Sequence, residues 1–343
     1  MNCPHLHLVQ VLPACLAACL AACLAACRDD PPVEDTWQLV HTDLPSALLS
    51  VWGTSSRDVW AVGGDTLDGA GPLVLHFDGD AWERVSTGET QGTLWWVFGF
   101  AGGPVYMGGE GGVILRRDGD AFTRMTTPGT DTVYGIWGAT PDDLWAVGGA
   151  SDSTGGFAWR LADGAWSPEP TLPADVPEKA AVWKVYGTAA DDAWLVGSNG
   201  VALHWDGTGL SPGDTGVGSS LFTVHAQDGR YTAVGGLATG IIVEYDGAQW
   251  HNVTPDSPPM GLSGITLGKD SFGVAVGSFG GVYTRSDAGW APENLGFAVY
   301  VNFHGSWIDD AGGVWAVGGQ TFSPPLDEGI LIHRGASISG EGL

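Results

Sequence analysis

A unit of 38 to 49 residues recurs seven times along the chain, and this repetition constrains the fold more than any other feature. The clearest copy begins LLSVWGTSSRDVWAVG at Leu48 and ends DGDAWERV at Val85. The hydrophobic residue of its AVG step has counterparts separated by 45, 40, 49, 38, 42 and 41 residues, at Val62, Met107, Val147, Val196, Val234, Val276 and Val317. Repeats of this length are typical of folds in which each unit forms one small sheet.

Each unit contains four short apolar segments, A to D, which predict four strands. In the first unit, segment A ends in Val51-Trp52-Gly53, segment B spans Val59 to Gly63, segment C precedes an Asp-Gly pair, and segment D starts at Trp82. An Asp-Gly pair between two apolar runs predicts a type I′ turn, so that C and D form a tight hairpin. Five units have this pair, at Asp78-Gly79, Asp118-Gly119, Asp163-Gly164, Asp206-Gly207 and Asp246-Gly247.

The two ends of the repeat region complement each other. The seventh unit stops after Ile332-His333-Arg334 without a segment D, whereas Thr36-Trp37-Gln38-Leu39-Val40 precedes the first unit and resembles the segment D at Trp82. The sequence therefore predicts an all-β fold, a seven-bladed β-propeller whose last blade is closed by the N-terminal strand. Such closure removes the exposed edges of an open array of sheets. In the alternative, residues 336–339 supply the missing strand.

The first 27 residues differ from the rest of the chain. Residues 8–26 are apolar apart from Gln10, and all five cysteines lie in this region, at Cys3, Cys15, Cys19, Cys23 and Cys27. An apolar stretch that ends in small residues before a charged boundary predicts an export signal. The thrice-repeated LAAC also resembles the lipobox of bacterial lipoproteins, in which the Cys is lipidated and becomes the mature N-terminus. Cys27 is the predicted lipidation site, because it directly precedes the charged residues and has the longest apolar segment before it.

These features predict three regions: a lipoprotein signal peptide with its lipobox at 1–27, a charged tether at 28–35, and the propeller at 36–343. The protein is then exported and lipid-anchored to the cell envelope, at the outer membrane or the cell surface. The N-terminal end carries His5 and His7 but lacks the Lys or Arg usual in export signals. Two alternatives therefore stay open, an uncleaved membrane anchor and a metal-binding stripe of cysteines at i,i+4 spacing.

The formal net charge of −26 argues against nucleic-acid binding, because such a surface repels phosphate backbones. It favours solubility, and attraction of basic partners is the alternative reading. No cysteine lies beyond Cys27, so the predicted fold has no disulfide and no thiol chemistry. The sequence predicts a monomer without a cofactor.

The segments VWGTSSRDVWAVGG and VLHFDGDAWERV resemble the propeller repeats of secreted proteins and lipoproteins of myxobacteria and related bacteria. Ser286-Asp287-Ala288-Gly289-Trp290 also resembles a degenerate Asp-box of the sialidase-like propeller superfamily. Together these resemblances cover residues 36 to about 335. They imply the fold but no function, because propellers host many functions, and the Asp-box is a structural turn in that superfamily.

Aromatic residues are the main candidates for ligand binding. One stands before the segment-A glycine in most units, as Trp52, Phe98, Trp137 and Tyr186, with His225 and His304 at equivalent places. Their repetition favours packing between blades, and the functional alternative is an aromatic rim that stacks on sugar rings. Trp95-Trp96 adds an extra aromatic to the second unit. The candidate ligand-binding set is Trp52, Trp95, Trp96, Trp137 and Tyr186.

The places where the repeat is interrupted are further candidates, since loops carry function more often than the scaffold does. The interruptions are the long B–C connections Asp65 to Pro72, Ala150 to Gly156 and Gln320 to Gly329, and the D–A connection Pro168 to Lys179. An acid also precedes segment B in three units, at Asp58, Asp143 and Asp192. These acids are interpreted as backbone caps, with cation binding as the alternative.

Catalytic motifs are lacking in the sequence. There is no HExxH, no GxSxG nucleophile elbow and no evident pair of facing carboxylates, so we assign no catalytic residue and no metal ligand. The favoured function is a non-catalytic envelope lipoprotein whose propeller binds an envelope protein or a glycan. The alternatives are a structural envelope spacer and a glycan-active enzyme such as a glycosidase.

Overall fold

The four apolar segments of each repeat form four short antiparallel strands in the order A–B–C–D. The computed structural model describes residues 36–338, 340, 342 and 343. In this part of the chain the strands make seven four-stranded sheets. Each strand A contacts the strand A of the next blade, and the seventh contacts the first, which closes the ring. The predicted all-β, seven-bladed β-propeller is confirmed.

Strand β1 belongs to the seventh blade, and the other strands follow blade by blade. The strands are β1 (Trp37–Leu44); blade 1, β2 (Leu48–Ser55), β3 (Asp58–Asp65), β4 (Pro72–Phe77) and β5 (Trp82–Arg84); blade 2, β6 (Leu94–Gly99), β7 (Val105–Gly109), β8 (Ile114–Asp118) and β9 (Ala121–Arg124); blade 3, β10 (Thr132–Thr140), β11 (Asp143–Gly149), β12 (Phe157–Ala162) and β13 (Ala165–Pro168); blade 4, β14 (Val182–Ala189), β15 (Asp192–Gly197), β16 (Ala202–Trp205) and β17 (Leu210–Pro212); blade 5, β18 (Leu221–Gln227), β19 (Arg230–Gly235), β20 (Ile241–Tyr245) and β21 (Trp250–Asn252); blade 6, β22 (Leu262–Leu267), β23 (Gly273–Gly277), β24 (Val282–Ser286) and β25 (Gly289–Pro292); and blade 7, β26 (Asn302–Ile308), β27 (Val314–Gly319) and β28 (Gly329–Arg334).

Short helical turns occur in the connections. The helix α1 (Val176–Lys179) lies between blades 3 and 4, and three B–C connections contain 3₁₀ turns, at Glu110–Gly112, Ser198–Gly200 and Ser278–Gly280. Within the described residues, no helix is long and apolar enough to cross a membrane.

In three blades, the aromatic ring near the end of strand A packs on a glycine of the next blade. A Cβ added to Gly99 would lie 2.7 Å from Cη2 of Trp52 in the preceding blade, so only glycine leaves room for this ring. The same contact joins Trp137 to Gly187 and, across the closure of the ring, Trp307 to Gly53. The recurring aromatic–glycine pair in the sequence is therefore a contact between neighbouring blades.

Strand B is buried along almost its whole length. All six residues of β27 are buried, and so are all residues of β3 between its two ends. Neighbouring blades cover both faces of each sheet, which explains why segment B is a continuous apolar run and does not alternate with polar residues. Trp60, Trp145 and Trp315 of this strand are among the largest fully buried side chains.

The N-terminal strand completes the seventh blade. Strand β1 pairs antiparallel with β28, with Trp37 opposite Arg334 and Leu39 opposite Ile332. The predicted closure is confirmed, and the alternative in which residues 336–339 supply the outer strand is wrong, because β1 occupies that position. The last blade is thus held by backbone hydrogen bonds between the two ends of the repeat region.

The Asp-Gly turns differ from the prediction in most blades. Both residues have positive φ only at Asp163-Gly164, with φ of 51° and 78°, as a type I′ turn requires. In blade 1, Asp78 has negative φ, and its Oδ1 accepts hydrogen bonds from the backbone N–H groups of Asp80 and Ala81 at 2.9 Å. The aspartate side chain organises these longer turns, which a prediction based on backbone dihedrals alone does not anticipate.

The importance of ring closure can be tested within β1. Trp37 is 6% exposed and packs against the core of blades 6 and 7, whereas Leu39 on the same strand is 46% exposed. Trp37→Ala should lower the free energy of unfolding by about 3–5 kcal/mol through loss of buried area and the cavity left behind. Leu39→Ala should change it by less than about 1 kcal/mol. Urea denaturation followed by tryptophan fluorescence measures both, and equal effects would contradict a closing role for the buried face of β1.

Candidate functional site

Every strand A contains a β-bulge near its beginning. One residue of each strand has no partner in the ladder with strand B, and a bulge of this kind redirects the extra side chain. The seven bulged residues are Leu49, Trp95, Tyr134, Trp183, Phe222, Ser263 and His304. All of them except Leu49 line a single cavity, so the bulge is the local feature that builds the site.

This cavity has a volume of about 1250 Å³ and lies where the A strands begin, inside the ring that they form. Five of its aromatic side chains follow one another around the wall with centroid separations of 4.9 to 6.4 Å. We call these five the aromatic arc: His304, Trp95, Tyr134, Trp183 and Phe222. A concave site lined mainly by aromatic rings with few polar groups is typical of ligand-binding cavities.

Loops form the wall of the cavity at its mouth. In an antiparallel A–B–C–D sheet, the B–C and D–A connections lie at the same edge, and we call the surface that they form the loop face. Leu67, Ser151 and Phe322 of three long B–C connections line the cavity. The connection 168–179 lies outside it and supports one of these loops, since the N–H of Gly155 donates to the carbonyl of Pro177 at 2.7 Å. Three of the four loop segments singled out from the sequence therefore meet at one site.

Lys184 is the charged group of greatest interest in the cavity. Its side chain is 4% exposed, and Nζ donates to the carbonyl oxygen of Tyr134 at 2.5 Å. The ammonium lies 4.2 Å from the centre of the Trp96 ring, a favourable cation–π distance. Gly135 makes this arrangement possible, because a Cβ there would lie 3.1 Å from Cα of Lys184. Burial lowers the pKa of Lys184 to about 7.

His304 supplies a neutral imidazole to the same cavity. Burial, together with the positive charge of Lys184, lowers the His304 pKa to about 4. Its Nδ1 donates to the carbonyl oxygen of Leu49 at 2.6 Å, which leaves Nε2 as an acceptor. In its protonated form Lys184 is a cationic donor in this cavity, and the neutral imidazole of His304 offers an acceptor.

The other charged groups that line the cavity are engaged in holding loops. Asp65 accepts from the N–H of Gly92 at 2.8 Å, and Glu110 accepts from the N–H of Thr93 at 3.2 Å. Glu89 forms an ion pair with Arg124 at 3.1 Å. These carboxylates make the mouth of the cavity acidic, and each holds a loop through a hydrogen bond or an ion pair.

The predicted ligand-binding residues do not all meet. Trp95 lines the cavity, and Trp96 lies behind it against Lys184. Trp52 and Trp137 pack on the glycines of the next blades, and Tyr186 packs against His225 with centroids 4.1 Å apart. Only Trp95 of the set lines the cavity. Cys27, the predicted lipidation site, lies outside the described residues.

The alignment of the seventh unit needs correction. His304 precedes a glycine and looked equivalent to Trp52, but the bulge between Phe303 and Gly305 places it at the position of Trp95. Trp307 occupies the position of Trp52 and packs on Gly53. The bulge adds a residue whose presence sequence spacing alone does not reveal.

Sequence reasoning missed most of the aromatic arc. In blades 2 to 5 an aromatic residue stands three positions before the aromatic residue that ends strand A, as in Trp95 before Phe98 and Trp183 before Tyr186. This second aromatic was the available signal. The sequence also marks Lys184, because the chain has only three lysines and this one lies within an apolar segment.

The acids before strand B belong to a repeated structural cluster. Asp58 accepts from Oγ1 of Thr54 at 2.5 Å and contacts Nε2 of His76 at 2.8 Å. The His76 ring stacks on Trp60 with centroids 4.0 Å apart. The acid, a basic strand-C residue and a strand-B tryptophan recur as Asp58–His76–Trp60, Asp143–Arg160–Trp145 and Asp192–His204–Trp194. The acids therefore bind side chains of their own blade, which corrects their interpretation as simple backbone caps.

Within the described ranges, no group of three or more potential metal ligands occurs.

Comparison with known proteins defines the fold. No protein-family model matches the chain, and no curated protein is significantly similar to it in sequence. A structure of streptogramin B lyase has a TM-score of 0.69 at 15% identity, covering 87% of this chain and 97% of the lyase. YCF48 bound to D1 peptide has a TM-score of 0.63 at 14% identity, covering 90% and 98%. A GH74 xyloglucanase from Xanthomonas campestris has a TM-score of 0.60 at 15% identity, covering 88% of this chain and 55% of the enzyme.

These similarities show a common fold. The chain is a β-propeller, and its structural neighbours include a lyase, a xyloglucanase and a protein solved with a bound peptide, so the fold does not select among these functions. The resemblance to lipoproteins of myxobacteria stays a prediction.

The charge state of Lys184 can be tested through the pH dependence of stability. Its folded pKa is depressed to about 7, so between pH 7 and pH 10.5 the unfolded state binds the proton that the folded state has lost. The wild type should therefore gain stability relative to Lys184→Met across this window, by at most about 1.4 kcal/mol per pH unit. Urea denaturation at several pH values measures the difference. Lys179→Met removes an exposed lysine, so the difference in unfolding free energy between it and the wild type should not change with pH in this way. If the difference between wild type and Lys184→Met is also independent of pH, the lowered pKa of Lys184 is contradicted.

Proposed function

We propose that this protein is an exported, lipid-anchored propeller of the cell envelope that binds a partner protein through its loop face, without catalysis. The observation on which this proposal rests is the distribution of exposed apolar side chains. Among the described residues, eight large hydrophobic side chains are exposed, and six of them belong to B–C or D–A connections. We call these six the apolar rim: Leu67, Leu237, Met260, Phe279, Tyr300 and Phe322.

An apolar rim around a cavity is characteristic of an interaction surface. Leu67, Leu237 and Phe322 border the cavity, and the other three lie on neighbouring connections of the same face. Exposed leucine and methionine side chains favour a protein partner over a glycan, which would need mainly flat aromatic faces. A purely structural spacer has no use for exposed apolar side chains gathered on one face.

Phe279 gives a second argument, because its backbone conformation is costly. It has a φ of 54°, in the left-handed region, and it is 65% exposed. The equivalent turns of blades 2 and 4 place Gly111 and Asn199 there, residue types that tolerate this conformation. Packing does not explain a phenylalanine that is both strained and largely exposed, which supports a role in contacting a partner.

The acidic surface sets the character of the partner. The chain has a net charge of −26, and Asp65, Glu89 and Glu110 surround the mouth of the cavity. A partner segment with apolar side chains and basic neighbours complements this face. A propeller neighbour, YCF48, has been solved bound to a D1 peptide, which supports peptide binding as a use of this architecture.

Cross-linking tests the partner-binding face. A photo-reactive phenylalanine analogue replaces Tyr300, which is 86% exposed on the loop face, in the full chain expressed in the source cells. The matched control places the analogue at Leu39, on the outer strand of blade 7. We expect one envelope protein to be cross-linked from position 300 and not from position 39. The proposal fails if both positions give the same products or if position 300 gives none.

Phe279→Asn should separate binding from stability. It introduces the residue type of blade 4, so the free energy of unfolding should rise by about 1 kcal/mol as strain is relieved. Cross-linking from position 300 should nevertheless fall several-fold. Leu39→Asn, which removes an exposed apolar side chain from another surface, should leave cross-linking unchanged. Full cross-linking in Phe279→Asn would contradict a contact at the apolar rim.

The lipid anchor is tested separately. Cys27→Ala should abolish incorporation of labelled fatty acid and shift the protein from the membrane to the soluble fraction, whereas Cys19→Ala and Cys23→Ala should retain both properties. Label that persists in Cys27→Ala would place the modification at another cysteine, whereas membrane retention without label would favour the uncleaved anchor.

A further inference from the structure

We propose that the cavity binds the C-terminal carboxylate of a polypeptide, with the Lys184 ammonium as its counter-ion and the aromatic arc around the last side chain. This inference rests on the proposed function and deepens it, because it states which part of a partner enters the cavity.

Lys184 is an incompletely satisfied cation. An ammonium has three donors, yet Nζ has one hydrogen bond, to the carbonyl oxygen of Tyr134. Among the described residues no carboxylate forms an ion pair with it, and its altered pKa has burial as its cause. A buried charge without a counter-ion is costly, and a bound anion would reduce that cost.

Arg124, which also lines the cavity, already has a carboxylate as its counter-ion. Arg124 is paired with Glu89 and is located at the mouth, half-exposed. Lys184 directly follows Trp183 of the aromatic arc and therefore lies deeper along the strand. An anion held by Lys184 would therefore share the cavity with the aromatic arc.

The charge distribution selects one kind of anion. A single ammonium supplies one positive charge, which balances one carboxylate but not a dianionic phosphate or a polyanion. The carboxylates of Asp65, Glu89 and Glu110 at the mouth repel further negative charge. The ligand therefore has one carboxylate on an apolar body.

A polypeptide C-terminus meets these requirements better than an acidic glycan. A glycan built from uronic acids repeats its negative charge along the chain and would bring it past the acidic mouth. A peptide has one terminal carboxylate next to a side chain that can be apolar. Its preceding residues can cross the apolar rim, and basic ones among them would complement the acidic surface.

The test compares N-acetyl-Lys-Gly-Phe as the free acid with the same peptide as its C-terminal amide. Binding to the full chain in detergent is followed by quenching of tryptophan fluorescence, since Trp95 and Trp183 line the cavity. We expect the free acid to bind at least tenfold more tightly than the amide, and Lys184→Met to remove this preference. Lys179→Met, which changes an exposed lysine of α1, should keep it.

Three results would overturn the inference: equal binding of acid and amide, a preference that survives in Lys184→Met, and no binding of either peptide at millimolar concentration. Binding of an oligoglucuronate through Lys184 in place of the peptide would reassign the cavity to an acidic glycan. Cross-linking from position 300 distinguishes this failure from failure of the proposed function. If a partner is still cross-linked there, the loop face binds a protein whose C-terminus lies elsewhere.

Discussion

The contact between an aromatic ring and the glycine of the next blade is the interaction on which this propeller depends. Each such pair, exemplified by Trp52 and Gly99, fixes the separation of two neighbouring A strands where any larger side chain would collide with the ring. Because the ring of blades must close, the separations have to agree all the way round. Since the A strands pack regularly, the residues that the bulges turn inward determine the shape of the central cavity.

Within a single strand A, one residue packs against the neighbouring blade and a different residue lines the cavity. In blade 2, Phe98 packs toward the neighbouring blade and Trp95, three residues earlier, lines the cavity. Changes at the bulged position can alter a ligand site without disturbing the contacts between blades. The bulged residue is serine in blade 6, where Ser263 lines the cavity, and leucine in blade 1, where Leu49 is buried outside it.

The sequence was sufficient to predict the fold, because the repeat period, the Asp-Gly pairs and the unmatched segment at Thr36–Val40 are all local patterns. It was less informative about the site, for a physical reason. His304 meets Trp95 only through closure of the ring, and Tyr134, Trp183 and His304 are each displaced by a bulge that shifts the strand by one residue. A one-residue shift reverses which face a side chain occupies, so His304 was assigned to the wrong position. The loops were easier to identify, since segments such as 320–329 interrupt the repeat visibly.

The closing strand also imposes an order on folding. Gln38 pairs with His333, a separation of 295 residues, and no other part of the chain can take the place of β28 beside β1. A chain that is still emerging from the ribosome has therefore formed its first strand long before the partner of that strand exists. Blades 1 to 6 can assemble from local contacts, but the ring stays open until β28 has been synthesised. Closure is thus a late, single event, and a chain truncated near its C-terminus would retain most of its blades while leaving the apolar face of Trp37 without its partner.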